Sequence, residues 1–386
     1  MKYPIAIWML AIGAFAIGMT EFVIMGLLPN IARDFDVTVS QAGQLITGYA
    51  LGVAIGGPII VMLTIKWNRK YLLLVLMGIF ILGNFAASFS PSYGFMMTSR
   101  IITSLAHGSF FGIGSILAAN MVRPEKRASA MALMFMGLSL SNILGVPFGT
   151  LVGQNFGWPM TFIVISIIGA LALIGIIIFV PMQRETIKSS VLNELKILKE
   201  KRLWLTLAVT LFGFSSVFAY FTYISTVLTD VSNVQEHLIS YLLIIFGVGV
   251  TLGNVVGGKL ADWNLNKALQ MIFTVFILYF VLLYFIQMNG FLMVAGIFFF
   301  GLIGFSMSPS LQFKSTLISK DAPTLASTLN QSAFNLGNAL GAFIGGLVVT
   351  HLPVASLSLI APILTAIGLI FLFISVAVEK KEGMTT

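Results

Sequence analysis

The sequence contains no cysteine and only three histidines among its 386 residues. Without cysteine the chain has no disulfides, no thiolate metal sites and no cysteine-based catalysis. His107, His237 and His351 are scattered along the chain and lack the spacing of a metal-ligand set. We therefore expect neither a metal ion nor a cofactor.

Charge is also scarce, because Asp, Glu, Lys and Arg together make up 9% of the residues. Soluble domains carry roughly 25% charged residues, whereas 58% of this chain is hydrophobic and its mean hydropathy is +1.02. Such a chain cannot cover itself with polar surface in water. The net charge of +8 lies in short loops between apolar runs, which argues against nucleic-acid binding. The composition indicates a polytopic membrane protein.

Twelve apolar segments follow one another, each of about 20 residues, the length that crosses a bilayer as a helix. Runs so long and so uniformly apolar fit helices rather than the alternating strands of a barrel. We therefore predict an all-α membrane protein with twelve transmembrane helices. These spans, numbered in chain order, lie near residues 5–28, 41–63, 71–89, 94–120, 128–152, 160–181, 203–228, 239–257, 268–287, 291–312, 325–349 and 354–378.

The distribution of cations between the loops predicts the orientation. If both termini are cytoplasmic, every one of the 21 Lys and Arg residues except Arg33 and Arg100 falls on the cytoplasmic side, as the positive-inside rule requires. Arg33 lies on the opposite side, and Arg100 lies within the fourth span. We therefore expect both termini to be cytoplasmic.

A polar stretch at residues 183–202 divides six spans from six. Leu192, Leu195 and Leu198 recur in it among charged neighbours, which favours an amphipathic helix on the cytoplasmic surface. A solvated linker without a regulatory role is the plainer interpretation. The predicted organisation is an N-terminal bundle of residues 1–182, the linker 183–202 and a C-terminal bundle of residues 203–386.

The two halves of the chain resemble each other, as internal duplication in a transporter would leave them. Two pseudo-symmetric six-helix bundles favour a substrate site at their interface near the bilayer midplane. At nearly constant offset, Gly52 and Gly56 align with Gly249 and Gly253, and Asn142, Gly145 and Gly149 align with Asn338, Gly341 and Gly345.

Four stretches carry recognisable motifs. The first span contains TEF at Thr20–Phe22, and the fourth contains SRIITSLAHGSFFG at Ser99–Gly112 with its membrane arginine. Glycine-rich stretches follow as GVPFGTLVGQNFGW at Gly145–Trp158 and FNLGNALGAFIGG at Phe334–Gly346. Together they resemble the major facilitator superfamily, specifically its twelve-span drug:proton antiporter branch, including bacterial sugar-efflux, purine-efflux and chloramphenicol-resistance exporters.

This resemblance implies the major facilitator fold in a bacterial cytoplasmic membrane. It implies proton-coupled export of small neutral or amphiphilic molecules, such as drugs, sugars or nucleobases, by alternating access. The alternative is a facilitator or importer of a specific metabolite without proton coupling. The expected partners are a small-molecule substrate, protons and the lipid bilayer, and we expect a monomer.

The sequence also departs from the family pattern. The superfamily's loop between the second and third spans usually reads Gly-x-Leu-Ala-Asp followed by basic residues, but here Ile65 stands at the acidic position. The second half keeps the acid as Asp262. On the fifth span, Val146 separates glycine from proline, unlike the antiporter motif. If the family role holds, the conformational-latch residues are Arg69, Lys70, Asp262 and Lys267.

Glu21 is the candidate for proton coupling. A charged side chain near the middle of a membrane helix costs roughly 2.5 to 3.5 kcal/mol, so it is functional by default. Arg100 lies at matching depth, and we hypothesise that it stabilises ionised Glu21 directly or through a polar intermediary; a static ion pair is the alternative. His107 lies two turns, about 10.5 Å, from Arg100, either as a buried neutral histidine bonded to a backbone carbonyl or as a proton carrier.

Glu21 is also the only helix-buried acid that we expect in the predicted cavity. Strongly cationic drugs are therefore not expected as the sole substrates. Amides within the spans either hydrogen-bond between helices or line the substrate cavity, and aromatic residues of the seventh span either pack or contact substrate. The cavity candidates are Asn142, Phe218, Asn254, Gln331 and Asn335.

Glycines four residues apart mark one face of the fifth and eleventh spans. Small residues at this spacing let helix backbones approach closely. Close packing explains them, and a role in a rocking interface is the alternative. The residues concerned are Gly145, Gly149, Gly341 and Gly345.

Two other classes of membrane protein fit the sequence less well than a transporter. An intramembrane enzyme would need a constellation such as His-Glu-x-x-His or paired aspartates, and the sequence has neither. A passive channel would need a ring of like groups from repeated helices. One membrane acid in one half does not offer that ring.

The asymmetry of the loop cations leads to a test of topology. Reporters fused after Lys126, near residue 190 and after Lys267 should report a cytoplasmic location, and a reporter near Ser232 an external one. Paired alkaline-phosphatase and fluorescent-protein fusions measure this directly. An external signal at residue 190 would contradict the six-plus-six arrangement.

Overall fold

The computed structural model describes residues 3–64, 67–123, 127–182, 195–318 and 323–381. Within these ranges all the regular secondary structure is helical. Ile65 and residues 183–194 of the predicted linker lie outside them.

Eleven helices of the described residues are long and apolar enough to cross a bilayer. The longest, Ile239–Ile286, has 48 residues and a non-helical backbone at Asn264 (φ −164°, ψ 106°). At 1.5 Å per residue it measures about 72 Å, more than twice the hydrocarbon core of about 30 Å. It therefore comprises the eighth and ninth spans, and the predicted all-α fold with twelve spans is confirmed.

The other spans agree closely with the apolar segments of the sequence. The fifth consists of Arg127–Leu140, a π-helical turn Ser141–Gly145 and Val146–Phe156. A short helix, Leu28–Asp34, follows the first span. The remaining spans are Ile5–Gly26, Val39–Leu63, Arg69–Ser88, Tyr93–Asn120, Trp158–Phe179, Lys201–Phe221, Gly290–Ile318, Pro323–His351 and Leu357–Lys381.

Proline explains the interruption of the fifth span. Pro147 has no N–H and its ring would clash with the carbonyl group four residues earlier in a regular helix. The preceding turn widens, and Val146 donates its N–H to the carbonyl oxygen of Ser141, five residues back. The span ends at Gly157, whose φ of 86° suits glycine and lets the sixth span begin at the next residue.

Contacts within the chain define two compact units. The first comprises residues 1–38 and 48–186, and the second comprises residues 39–47 and 187–386. Residues 39–47 group with the second unit, where Ser40 donates a hydrogen bond to the carbonyl oxygen of Gly346 at 2.9 Å. The sequence-based division into bundles 1–182 and 203–386 stays a prediction.

In the first unit, glycines of the fifth span face the first span. A methyl group added at Gly149 would lie 2.7 Å from both Met19 Cε and Val23 Cγ2. At Gly145 the nearest atom would be Phe15 Cζ, at 3.0 Å. An added methyl group would force these side chains of the first span to shift, so the two helices pack closely at the glycines.

In the second unit, the eleventh span packs against the seventh through an equivalent series. A methyl group added at Gly337 would lie 2.6 Å from the Leu211 carbonyl oxygen, and one at Gly345 would lie 2.5 Å from that of Ala219. Gly341, between them, faces the backbone of Ser215. Three successive turns of one helix thus meet backbone carbonyl groups of the other.

A buried charge cluster joins the ninth, tenth and twelfth spans of the second unit. Lys314 Nζ donates to Glu379 Oε1 at 2.5 Å and to Asn266 Oδ1 at 2.8 Å. Asn266 Nδ2 donates to Glu379 Oε2 at 3.0 Å, and the Ser375 hydroxyl donates to Oε1 at 3.2 Å. Glu379 is 6% exposed, so it is a second acid buried in a helix, besides Glu21. Its charge is balanced by Lys314.

The described end of the predicted linker forms a short 3-10 helix, Leu195–Lys199. Ile197 is buried there against Leu203 and Leu207 of the seventh span, whereas Lys199 is exposed. This turn is therefore attached to the second unit by the Ile197 side chain and by a hydrogen bond from Trp204 Nε1 to the Leu198 carbonyl oxygen, at 2.8 Å.

The close approach of the seventh and eleventh spans predicts the effect of one added methyl group. Gly345→Ala should destabilise the protein by roughly 1 to 3 kcal/mol, because the backbone oxygen of Ala219 cannot move aside as a flexible side chain would. Gly258→Ala is the matched control, since no atom lies within 4 Å of its added methyl group. Thermal unfolding of the purified protein in detergent measures both. Equal midpoints for the two variants would contradict this packing.

The charge cluster predicts strong coupling between its members. Glu379→Leu leaves the buried Lys314 ammonium group without its counter-charge, which should cost roughly 3 to 5 kcal/mol. Lys314→Met combined with Glu379→Leu removes both charges and should be closer to wild type than either single variant. A double-mutant cycle of thermal midpoints measures the coupling, and additive losses would contradict it.

Candidate functional site

The candidate site lies within the first unit, where the first four spans each contribute polar side chains. Glu21, Arg100 and His107 are 3%, 1% and 1% exposed. Side chains with hydrogen-bonding groups turn toward neighbouring helices because hydrocarbon offers them no partner. The first and fourth spans thereby bring together the three residues predicted for proton coupling.

Arg100 is held by the residue that precedes Glu21. Its Nη1 donates to the Thr20 carbonyl oxygen at 2.8 Å and to Thr20 Oγ1 at 3.2 Å. The Thr20 hydroxyl donates to Asn84 Oδ1 at 2.5 Å, and Asn84 Nδ2 donates to the Phe80 carbonyl oxygen at 2.8 Å. Arg100 Cζ also lies 3.9 Å from the centroid of the Tyr49 ring, a cation–π arrangement.

Glu21 contacts His107 rather than Arg100. Its Oε2 lies 3.9 Å from His107 Nε2, within ion-pair distance but beyond a hydrogen bond. Arg100 acts on the carboxyl group electrostatically while its hydrogen bonds go to Thr20. Among the described residues no hydrogen bond or ion pair joins Arg100 to Glu21, and stabilisation of the ionised carboxyl group by Arg100 stays a prediction.

His107 bonds to a side chain, not to the backbone carbonyl considered in the sequence analysis. Its Nδ1 lies 3.2 Å from the Tyr49 hydroxyl. Its ring packs edge-on against Phe111, with the centroids 5.3 Å apart. The other two histidines, His237 and His351, are exposed.

Several atoms of this cluster are buried without a hydrogen-bond partner among the described residues. They are Glu21 Oε1, Arg100 Nε and Nη2, and His107 Nε2. Buried charged groups with unused hydrogen-bonding capacity destabilise a protein, and their presence calls for an explanation other than stability. The cluster combines one acceptor oxygen with donor nitrogens around an ionisable carboxyl group, so it can respond to a change in protonation.

The cavity candidates lie in both units. In the first unit, Asn142 donates from Nδ2 to the Leu138 carbonyl oxygen at 3.1 Å. In the second, Asn335 donates to the Gln331 carbonyl oxygen at 3.0 Å, and its own Oδ1 is buried without a partner in the described chain. Asn254 is partly exposed on the eighth span.

Phe218 is fully buried in an aromatic group of the second unit. Its ring lies 5.5 Å from that of Phe334 and 6.4 Å from that of Phe214, which in turn lies 4.3 Å from Phe334. This is the placement expected of a packing residue.

The predicted latch residues take separate positions. Lys70 donates from Nζ to the Ile177 carbonyl oxygen at 2.8 Å, near the end of the sixth span, where a cation is favourable; Arg69 begins the third span. Asp262 and Lys267 have exposed side chains on opposite sides of the Asn264 break.

Sequence reasoning missed Tyr49 and Asn84 as members of the site. Each is the only residue of its type in its span. A lone tyrosine or amide in an apolar span is the signal that could have found them. The ring stacking and the bridge through Thr20 link residues far apart in the chain, and helical periodicity carries no information about such contacts.

Comparison with known proteins gives consistent matches over most of the chain. The model of the Major Facilitator Superfamily matches residues 10–324. The inner membrane transport protein YdhP of Escherichia coli (strain K12) is 39% identical, over 97% of both chains. A chloramphenicol resistance protein of Streptomyces lividans is 28% identical, over 90% of both chains.

A solved structure shares the fold at low sequence identity. The crystal structure of a D-xylose–proton symporter matches with a TM-score of 0.77 and 15% identity, covering 95% of this chain and 96% of that one. The family, the relative YdhP and the symporter are transporters and not enzymes. This chain is therefore a multi-pass membrane transporter that belongs to the major facilitator superfamily.

Proposed function

We propose that the protein is a proton-coupled exporter of small neutral or amphiphilic molecules that works by alternating access. It would lie in a bacterial cytoplasmic membrane with both termini in the cytoplasm. Proton entry would be coupled to substrate exit. The relative from Streptomyces lividans, named for chloramphenicol resistance, supports export as the direction.

The observation that carries this proposal is the environment of Glu21. Its carboxyl group is buried in a membrane-spanning unit, 3.9 Å from His107, with one oxygen unpartnered in the described structure. The proton affinity of such a group depends on its exposure to water and on nearby charges. If these differ between the two conformations of the transport cycle, protonation and conformation are linked.

Arg100 and His107 have distinct parts in this proposal. Arg100 keeps a fixed positive charge beside the first span through its bonds to Thr20, so it can stabilise Glu21 when the carboxyl group is ionised. His107 faces Glu21 from the same helix as Arg100. It is the group nearest in space that could exchange a proton with the carboxyl group.

The substrate class rests on charge. In the first unit, Glu21 is surrounded by Arg100 and His107, and in the second unit Glu379 is occupied by Lys314. Because each carboxylate has a basic side chain beside it, we expect neither to act as the counter-ion of a dication. We expect amides such as Asn142, Asn254, Gln331 and Asn335 to contact a neutral substrate through hydrogen bonds.

Glu21→Gln tests the coupling. The amide keeps the shape and the hydrogen-bonding ability of the carboxyl group but does not titrate in this range. In proteoliposomes with an imposed proton gradient, the variant should lose at least tenfold of the uphill transport of a tested probe while keeping its downhill exchange. The probes are chloramphenicol, arabinose and adenine.

Asp230→Asn is the matched control, because it also removes a carboxylate, from an exposed position in the second unit. It should leave uphill transport unchanged. Undiminished uphill transport by Glu21→Gln would contradict Glu21 as the coupling site. Transport of a probe by wild type that is saturable but insensitive to the gradient would favour an uncoupled facilitator instead.

A further inference from the structure

Tyr49 of the second span contacts two members of the candidate site with two different parts of its side chain. Its hydroxyl group lies 3.2 Å from His107 Nδ1. Its ring lies under the guanidinium group of Arg100, 3.9 Å from Cζ to centroid. The side chain is 1% exposed, so neither solvent nor lipid competes for these two contacts.

The direction of the hydrogen bond follows from the surroundings of the hydroxyl group. Within the described chain, His107 Nδ1 is the one hydrogen-bond partner of the Tyr49 hydroxyl. A buried O–H donor needs an acceptor, and the lone pair of Nδ1 is the acceptor in reach. The hydroxyl therefore donates, and neutral His107 carries its proton on Nε2.

This tautomer has a consequence at Glu21. His107 Nε2 is the ring nitrogen that faces Glu21 Oε2, at 3.9 Å. An N–H directed at a carboxylate is attractive, whereas a nitrogen lone pair in the same place would be repulsive. The distance is about 1 Å longer than an ordinary hydrogen bond, so a small movement of the first span against the fourth would close it.

We propose that Tyr49 is the positioning residue of the coupling site. Its hydroxyl group holds His107 as the Nε2–H tautomer directed at Glu21, and its ring holds Arg100 by a cation–π contact. The role in coupling rests on the proposed function above, whereas the tautomer does not.

Few charged or titratable groups of the described chain face His107. The groups that face His107 are Glu21 from the first span, Tyr49 from the second and Arg100 from its own helix. The remaining described ring contact of His107 is with Phe111, which stacks on Phe135 of the fifth span. A change in the tautomer of His107 is therefore attributable to these three polar neighbours.

The first experiment measures the tautomer without any transport assay. Protein with ¹⁵N-labelled histidine rings is reconstituted in lipid nanodiscs, and His107 is assigned by the signals lost in His107→Asn. The exposed His237 and His351 report the tautomer mixture of solvated histidines in the same sample. We expect a single Nε2–H tautomer at His107 in wild type, and a mixture or the other tautomer in Tyr49→Phe.

Two results would overturn the assignment. One is a protonated Nδ1 at neutral His107 in wild type, and the other is an unchanged single Nε2–H tautomer in Tyr49→Phe. The wild-type spectrum alone decides the first, so the proposal remains testable if the variant does not fold.

The second experiment separates the hydroxyl group from the ring. Tyr49→Phe keeps the ring beneath Arg100 and removes one hydrogen bond, so gradient-driven transport of the probe should fall about two- to tenfold and its pH profile should shift. Tyr49→Leu also removes the cation–π contact and should lose about two- to tenfold more. A rate and pH profile of Tyr49→Phe equal to those of wild type would overturn the positioning role.

The outcomes distinguish this proposal from the one on which it rests. If Glu21→Gln keeps uphill transport but Tyr49→Phe changes the His107 tautomer, the coupling site is wrong and the assignment of the tautomer stands. If Glu21→Gln abolishes uphill transport while Tyr49→Phe changes neither the tautomer nor the pH profile, the coupling site stands and the role of Tyr49 is overturned.

Discussion

The burial of the Arg100 guanidinium group inside a membrane-spanning unit is the constraint on which the polar architecture of the first four spans depends. Hydrocarbon supplies no hydrogen-bond partner. The group therefore donates a hydrogen bond to the carbonyl oxygen of Thr20 and lies against the ring face of Tyr49. Thr20 in turn bonds to Asn84 of the third span. Because Glu21 directly follows Thr20, accommodating the arginine also places the carboxyl group beside His107.

The two units use the same means to bring helices together and different means to bury charge. In both, glycines meet a neighbouring helix at distances that exclude a methyl group. In the second unit, Lys314 and Glu379 neutralise each other, and Asn266 and Ser375 complete their hydrogen bonds. A satisfied cluster of this kind suits a permanent structural contact.

The cluster around Glu21 is arranged otherwise, because donor nitrogens and an acceptor oxygen lie close together without bonding to one another. Such an arrangement is unfavourable for stability alone. It suits a group whose protonation changes during function, since the surroundings need not be matched to one charge state. The two units therefore differ in their buried ionisable groups: those around Glu21 have unpartnered atoms among the described residues, whereas Lys314 and Glu379 bond to each other.

The sequence by itself determined the twelve spans and the fold class, because the length and apolarity of a span are local properties that the bilayer imposes. It also singled out Glu21, Arg100 and His107, since ionisable residues are rare in membrane helices. Only the tertiary structure decided that Arg100 bonds to Thr20 and that Tyr49 joins His107. The physical reason is that these contacts depend on how separate helices rotate and approach, which periodicity within each helix does not encode.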